Sequence, residues 1–196
     1  MVSEPSFSRR RVLAGLLALP LAAALARLAP ARAGTRTLAA TPACDDDPTP
    51  EQTEGPYWTP DSPERSDFTG DGAPGQRMTL TGTVVDTACK PIPGALLDFW
   101  QCDGNGVYDN QGYKLRGHQH TDGNGAFRLT TVKPGLYPGR TRHFHVKVRR
   151  PGGEVLTTQL YFPGEPGNKA DGIYRSELEM TISDTGDASF TFVLEK

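Results

Sequence analysis

The sequence predicts an all-β fold, a sandwich of mainly antiparallel strands preceded by a long irregular arm. Three observations carry that expectation. Short β-branched or aromatic runs recur from Met78 onward, Gly, Pro, Asn and Asp punctuate them, and no long helical periodicity appears after the first thirty or so residues.

The chain opens on Ser8-Arg9-Arg10-Arg11-Val12-Leu13, a basic stretch matching the twin-arginine pattern, followed by an apolar run from Val12 to Ala26 and a cleavage candidate at Ala31-Arg32-Ala33. That run is short for a membrane span, and Pro20 and Arg27 interrupt and close it. Residues 1–33 therefore read as a removed export signal, with a retained anchor as the alternative. The expected location is periplasmic or extracellular, with no stable membrane insertion after removal. Residues 34–77 read as the arm: from Cys44 to Gly75 the composition is Pro, Asp, Thr, Gly and Ser with few aliphatics. Within it, Ser66 to Gly72 (SDFTGDG) has the outline of a calcium loop. Thr69 and Met78 occupy positions where such a loop needs oxygen ligands, so a turn is expected.

Residues 78–196 form the predicted sandwich. Seven runs are candidate strands: MTLTGTVVD (78–86), ALLDFWQ (95–101), AFRLTTV (126–132), HFHVKVRR (143–150), EVLTTQLYF (154–162), LEMTIS (178–183) and SFTFVLE (189–195). DGNG occurs at Asp103–Gly106 and again at Asp122–Gly125, each a turn signal.

Removing residues 1–33, which hold five arginines and one glutamate, moves the formal charge from −2 to −6. A mildly acidic domain is a poor electrostatic match for nucleic acid, and no such partner is expected. Cys44, Cys89 and Cys102 permit one disulfide and leave one thiol over, and no Cys/His zinc spacing is present.

His143-Phe144-His145 is where chemistry enters. In an extended segment side chains alternate, so the two histidines share one face while Phe144 and Val146 take the other. A bare His-x-His is more often a solvated polar pair than a metal grip. The added signal is tyrosine: Tyr108 follows the first Gly-Asn-Gly turn and Tyr137 follows Lys-Pro-Gly, both in positions that can aim a polar group inward. A phenol keeps its proton to pH ~10 and is a poor ligand for zinc or copper(I). A ferric ion is hard, favours anionic oxygen and lowers the ligand's pKa, so two Tyr with two His argue for iron(III).

These residues stand in an order that resembles the intradiol ring-cleavage dioxygenases. The resemblance runs from TPEQTEGPYW (Thr49 to Trp58) through WQCDGNGVYDNQG, LRGHQHTDGNGAF and PGLYPGRTRHFHVKV to LTTQLYF (Leu156 to Phe162). It implies a non-haem Fe(III) cofactor held by Tyr108, Tyr137, His143 and His145, with Tyr137 as the ligand that departs and serves as a base. It assigns Arg140 and Gln159 to steadying charge on substrate oxygens, and Trp100, Tyr57 and Arg140 to the substrate pocket. The implied partners are a small aromatic diol and O₂, the ring opening between the hydroxylated carbons to a muconate-type diacid. Two departures stand out: a short segment between Tyr137 and His143, and Arg142 where the family often has a small residue or proline. The helical domain through which catechol dioxygenases dimerise has no counterpart here, and the sequence leaves room for an oligomer.

Three rival readings remain. His118 and His120 form a second His-x-His, expected to be solvated strand residues leading into a turn. A metal-free transthyretin-like or carbohydrate-binding sandwich would have the same strand rhythm but no reason to keep the Tyr, Tyr, His, His set. The last is a zinc or copper site on the histidines alone.

Overall fold

The computed structural model describes residues 47–195. The export signal and Cys44 lie outside the described residues. Eight strands form two four-stranded sheets: β1 (Arg77–Asp86), β2 (Leu96–Trp100), β3 (Arg116–His120), β4 (Ala126–Val132), β5 (His143–Arg149), β6 (Val155–Tyr161), β7 (Thr181–Ile182) and β8 (Ala188–Leu194). One sheet has the order β4-β1-β8-β7 and the other β3-β2-β5-β6. Every pairing is antiparallel except β1 with β8, which confirms the expected sandwich.

Two details differ from the expected strands. The sixth run shrinks to the two residues of β7, and Arg116–His120, in none of the seven predicted runs, forms β3. RGHQH has no β-branched residue to signal a strand; its pairing with β2 and with the arm makes it one. The histidine pair also needs correction. His120 is exposed, but His118 is half-buried beneath the arm, its Nδ1 2.7 Å from the Ser62 carbonyl and its backbone bonded to Pro63 and Arg65.

Alternation sets which face of each strand is buried in the sandwich. On β5, Phe144, Val146 and Val148 enter the core between the sheets, where they join Leu97 and Phe99 of β2, Leu80 and Val84 of β1, Leu129 of β4 and Phe192 of β8. Each such side chain contributes about 2 kcal/mol through burial. The opposite faces of β2, β3, β5 and β6 carry one cross-strand row, Arg116, Trp100, His145 and Gln159, in direct register.

That outer face is roofed by the arm from Gln52 to Arg65; the arm, residues 47–76, is irregular apart from a 3-10 turn at Thr69–Asp71, and its last part runs on to β4. The arm is fastened along its length. Gln52 N–H donates to the Thr157 carbonyl, Trp58 Nε1 donates to Asp98, Lys147 Nζ lies 3.6 Å from the centre of the Trp58 ring, and Phe68 is buried in the core. The calcium-like segment is a turn: the Asp67 carboxylate accepts from Thr69, and Asp71 is paired with Arg65. Cys89 is disulfide-bonded and Cys102 is a free buried thiol, pushed up to about 11 by burial. Among the described residues no helix is long and apolar enough to cross a membrane.

Gly82 sits where β1 runs between β4 and β8. A Cβ there would lie 1.8 Å from the Phe190 carbonyl and 2.8 Å from the Phe127 ring. Gly82→Ala should lower the melting temperature by at least about 5 °C, because the clash is with backbone that cannot give way. Thermal unfolding followed by circular dichroism checks this.

Candidate metal centre

Two loops and one strand build the site. The first loop leaves β2 and turns at Asp103–Gly106, where Gly106 has φ +82 and Asp103 Oδ1 accepts from the N–H groups of Asn105 and Val107. The second joins β4 to β5 and carries Gly135 to Arg142. The loops meet at their glycines: a Cβ on Gly106 would lie 2.2 Å from the Leu136 carbonyl, and one on Gly135 would lie 2.3 Å from the Gly106 nitrogen. Only glycine permits that approach. It sets the rings of Tyr108 and Tyr137 edge to face, 5.8 Å apart.

His143 Nδ1 lies 2.6 Å from the Thr141 carbonyl and donates its proton there, which leaves Nε2 with the lone pair. That Nε2 is 3.1 Å from His145 Nε2 and 3.4 Å from the Tyr108 hydroxyl. Trp100 does not face solvent. It is buried and stacked flat on His145 at 4.8 Å, and so fixes the plane of that ring. On the arm side, a Cβ at Gly55 would stand 3.4 Å from His145 Cε1. The Tyr57 ring stacks on Tyr108 at 4.4 Å, and its hydroxyl is 2.6 Å from the Tyr137 hydroxyl.

The electrostatics suit neutral imidazoles. Burial, with Arg140 adding to it, pushes His143 down to about 4, and burial beside His143 holds His145 well below the usual range. Burial also drives the Tyr108 phenol well above its ordinary value, and the hydrogen bond to Tyr137 raises Tyr57.

Arg140 and Gln159 lie together beside the histidines. Arg140 Nη2 donates to Gln159 Oε1 at 2.6 Å and its Nε to Asp171 Oδ2 at 2.8 Å, while Gln159 Nε2 donates to the Thr53 carbonyl. Tyr161 completes the group, its hydroxyl donating to Gln159 Oε1. Burial opposes ionisation of Asp171, but the N–H groups of Thr141 and Ile173 and the Arg140 guanidinium outweigh it and hold the carboxyl below its ordinary value. Asp171, Tyr161, Thr53 and Gly55 are site residues that sequence reasoning missed. So is Arg116, which is 1 % exposed and bonds the carbonyls of Tyr57 and Asp109, joining the arm to the Tyr108 loop.

The donor set fits the ferric ion implied by the sequence. Two nitrogens 3.1 Å apart can both lie about 2.1 Å from a common point at a near right angle, and the Tyr108 oxygen is spaced to join them. Among the described residues no cluster of three or more His, Cys, Asp or Glu could hold a metal, so further protein donors here would be phenols. A phenol raised by burial ionises only for a strongly polarising cation, which favours a trivalent ion over zinc.

Comparison with known proteins gives the family. A family model described as Dioxygenase matches residues 53–189. The chain is 33% identical to catechol 1,2-dioxygenase of Pseudomonas sp. (strain EST1001) over 67% of its length and 53% of that enzyme's. It is 32% identical to hydroxyquinol 1,2-dioxygenase of Corynebacterium glutamicum over 57% and 45%. The chain thus spans about half the length of these relatives. Among solved structures, the dioxygenase domain of a dioxygenase carbohydrate-binding protein fusion from Streptomyces sp. SirexAA-E superposes with a TM-score of 0.74 at 53% identity, covering 76% of this chain and 99% of that one.

His145→Ala should reduce bound iron after ferric loading to under about a tenth of wild type, since it removes a candidate donor. His120→Ala should leave iron content unchanged. Elemental analysis of the loaded proteins checks both.

Proposed function

The chain belongs to the intradiol ring-cleavage dioxygenase family, and from that membership we propose that it opens catechol-type rings between the two hydroxylated carbons, both atoms of O₂ entering a muconate-type diacid. The observation that carries the reading is the convergence of His143 Nε2, His145 Nε2 and the Tyr108 hydroxyl within 3.4 Å, with the Tyr137 ring beside them. Non-haem iron(III) held by Tyr108, Tyr137, His143 and His145 would supply the Lewis acidity that ionises the diol and makes the ring reactive toward O₂.

The chain's own groups do the rest. A diol must lose two protons to bind as a dianion: Tyr137 would accept one as the base on the protein, and a hydroxide from solvent would accept the other. Once protonated, the Tyr137 hydroxyl has a waiting partner in Tyr57 Oη, 2.6 Å away, which keeps it turned aside for the substrate. Arg140 has Nε and Nη2 tied to Asp171 and Gln159, so its charge is fixed in place before substrate arrives. Gln159 is held in turn by the Thr53 carbonyl. The arm from Thr53 to Tyr57 lies over these groups and limits the entry of water. The twin-arginine motif at Ser8–Leu13 supports action after export.

Iron-loaded protein incubated with catechol in air should give a muconate, identified by mass and ultraviolet spectrum. A yellow semialdehyde would overturn the reading. At equal iron content Tyr137→Phe should turn over catechol about 100-fold more slowly, since it loses the base. Asp171→Asn should lower kcat about tenfold by loosening Arg140, with iron content unchanged.

A further inference from the structure

We infer that Tyr161 is a positioning residue for diol binding at this site, its buried hydroxyl fixing Arg140 through both groups that hold that arginine, Gln159 and Asp171. The inference rests on the proposed ring-opening site and adds a residue to it. Tyr161 is fully buried on β6, two residues beyond Gln159 and on the same face, while Leu160 between them enters the core. Register then pairs the two strands position by position: His145 stands opposite Gln159, and His143 opposite Tyr161, with ring centres 6.2 Å apart in the second pair. The candidate nitrogen ligands on β5 thus face, on β6, the amide and the phenol that both reach Arg140.

The phenol oxygen is a junction. It stands 3.1 Å from Gln159 Oε1, 3.1 Å from Gln52 Oε1 on the arm and 3.2 Å from the Ile173 carbonyl, and Arg140 Nη2 donates to it at 3.4 Å. A phenol has one proton, so one of the three acceptors takes it at a time, and the same oxygen can still accept from the guanidinium. These contacts close a ring. Tyr161 reaches the Ile173 carbonyl, the Ile173 N–H donates to Asp171 Oδ1, Asp171 Oδ2 accepts from Arg140 Nε, and Arg140 Nη2 donates to Gln159 Oε1, which returns to Tyr161. Asp171 lies in irregular chain, and Tyr161 links that segment to the sheet: the Tyr174 ring also packs edge to face on Tyr161 at 5.2 Å.

Packing alone does not require the hydroxyl, since a phenylalanine would fill the same volume against the same rings. What it would lack is the common anchor of Gln159, Ile173 and Arg140. Gln159 and Tyr161 are neutral, so they locate the guanidinium without cancelling its charge, and in this buried layer their hydrogen bonds are stronger than they would be in water. A cation steadies charge on substrate oxygens only from a fixed place, so slack in the ring is read as weaker binding of the diol dianion.

Calorimetric titration of iron-loaded protein with catechol in the absence of oxygen tests this apart from turnover. Tyr161→Phe should keep its iron and weaken catechol binding about tenfold. A tyrosine that merely supports the fold would impose the same loss whatever stands at position 140, so the deciding measurement is a double-mutant cycle. In an Arg140→Gln background, Tyr161→Phe should change catechol affinity by less than about twofold. Combined with Asp171→Asn, it should cost less than the product of the two single losses. Wild-type affinity in Tyr161→Phe, loss of its iron, or a loss carried over in full into the Arg140→Gln background would overturn the positioning role. The expected binding pattern without ring opening in air would overturn the proposed reaction and leave the positioning role standing.

Discussion

A four-residue row, Arg116, Trp100, His145 and Gln159, crosses every strand of the outer sheet face, and the rest of the structure depends on its being kept out of water. In a two-layer sandwich such a face is ordinarily the solvated one. Here the arm covers it by hydrogen-bonding along β6, bridging to β3 and placing Trp58 against Lys147. The roof turns a polar sheet face into a buried polar layer, where imidazoles stay neutral and each hydrogen bond is stronger than it would be in water. The same burial makes unpaired groups costly. Trp100 Nε1 and His145 Nδ1 are buried without a partner among the described residues. That cost falls on the stacked pair that fixes the orientation of one candidate ligand.

Arg116 shows how the layer is held together. Its guanidinium is buried, and its hydrogen bonds reach carbonyls rather than a carboxylate, those of Tyr57 on the arm and Asp109 beyond Tyr108. Desolvation draws its pKa down, opposed by the neighbouring Asp109, Tyr108 and Asp98. One residue thus fastens both partners of the Tyr57–Tyr108 stack, and roof and ligand loop are positioned together. Asp171 does the same for Arg140, through a side-chain contact on one side and the Thr141 N–H on the other.

Much of this was legible in the sequence, for reasons of period and turn chemistry. Alternation put His143 and His145 on one face and Phe144 on the other, and the core confirms that split. The two DGNG turns read correctly because an aspartate accepting two backbone N–H groups ahead of a left-handed glycine is a local pattern, and both copies form it. What was not legible is long-range. Asp171 lies in irregular chain 31 residues beyond its partner Arg140, with no periodicity to mark it. Nothing in the sequence singles out Arg116, whose role shows only once the arm is seen lying on it. His118 reads as solvated for the same reason, since an arm's path over a sheet leaves no trace in the strand beneath.

Arg142 resolves one puzzle in the sequence. It is a long cation where the family often has a small residue or proline. Its side chain bonds the Pro134 carbonyl and pairs with Glu165, which also lies 3.6 Å from Lys133. It is a strut at the base of the Tyr137 loop. The tip behaves differently: Pro138 and Gly139 are exposed, and Gly139, at φ +78, has open space where a side chain would be. A loop of this kind has a fixed foot and an unencumbered crown. Tyr137 sits between them, its hydroxyl 2.6 Å from that of Tyr57 and its ring edge to face with that of Tyr108. The short segment between Tyr137 and His143 makes the strut necessary, because with so few residues any slack at the base would be passed directly to the ring.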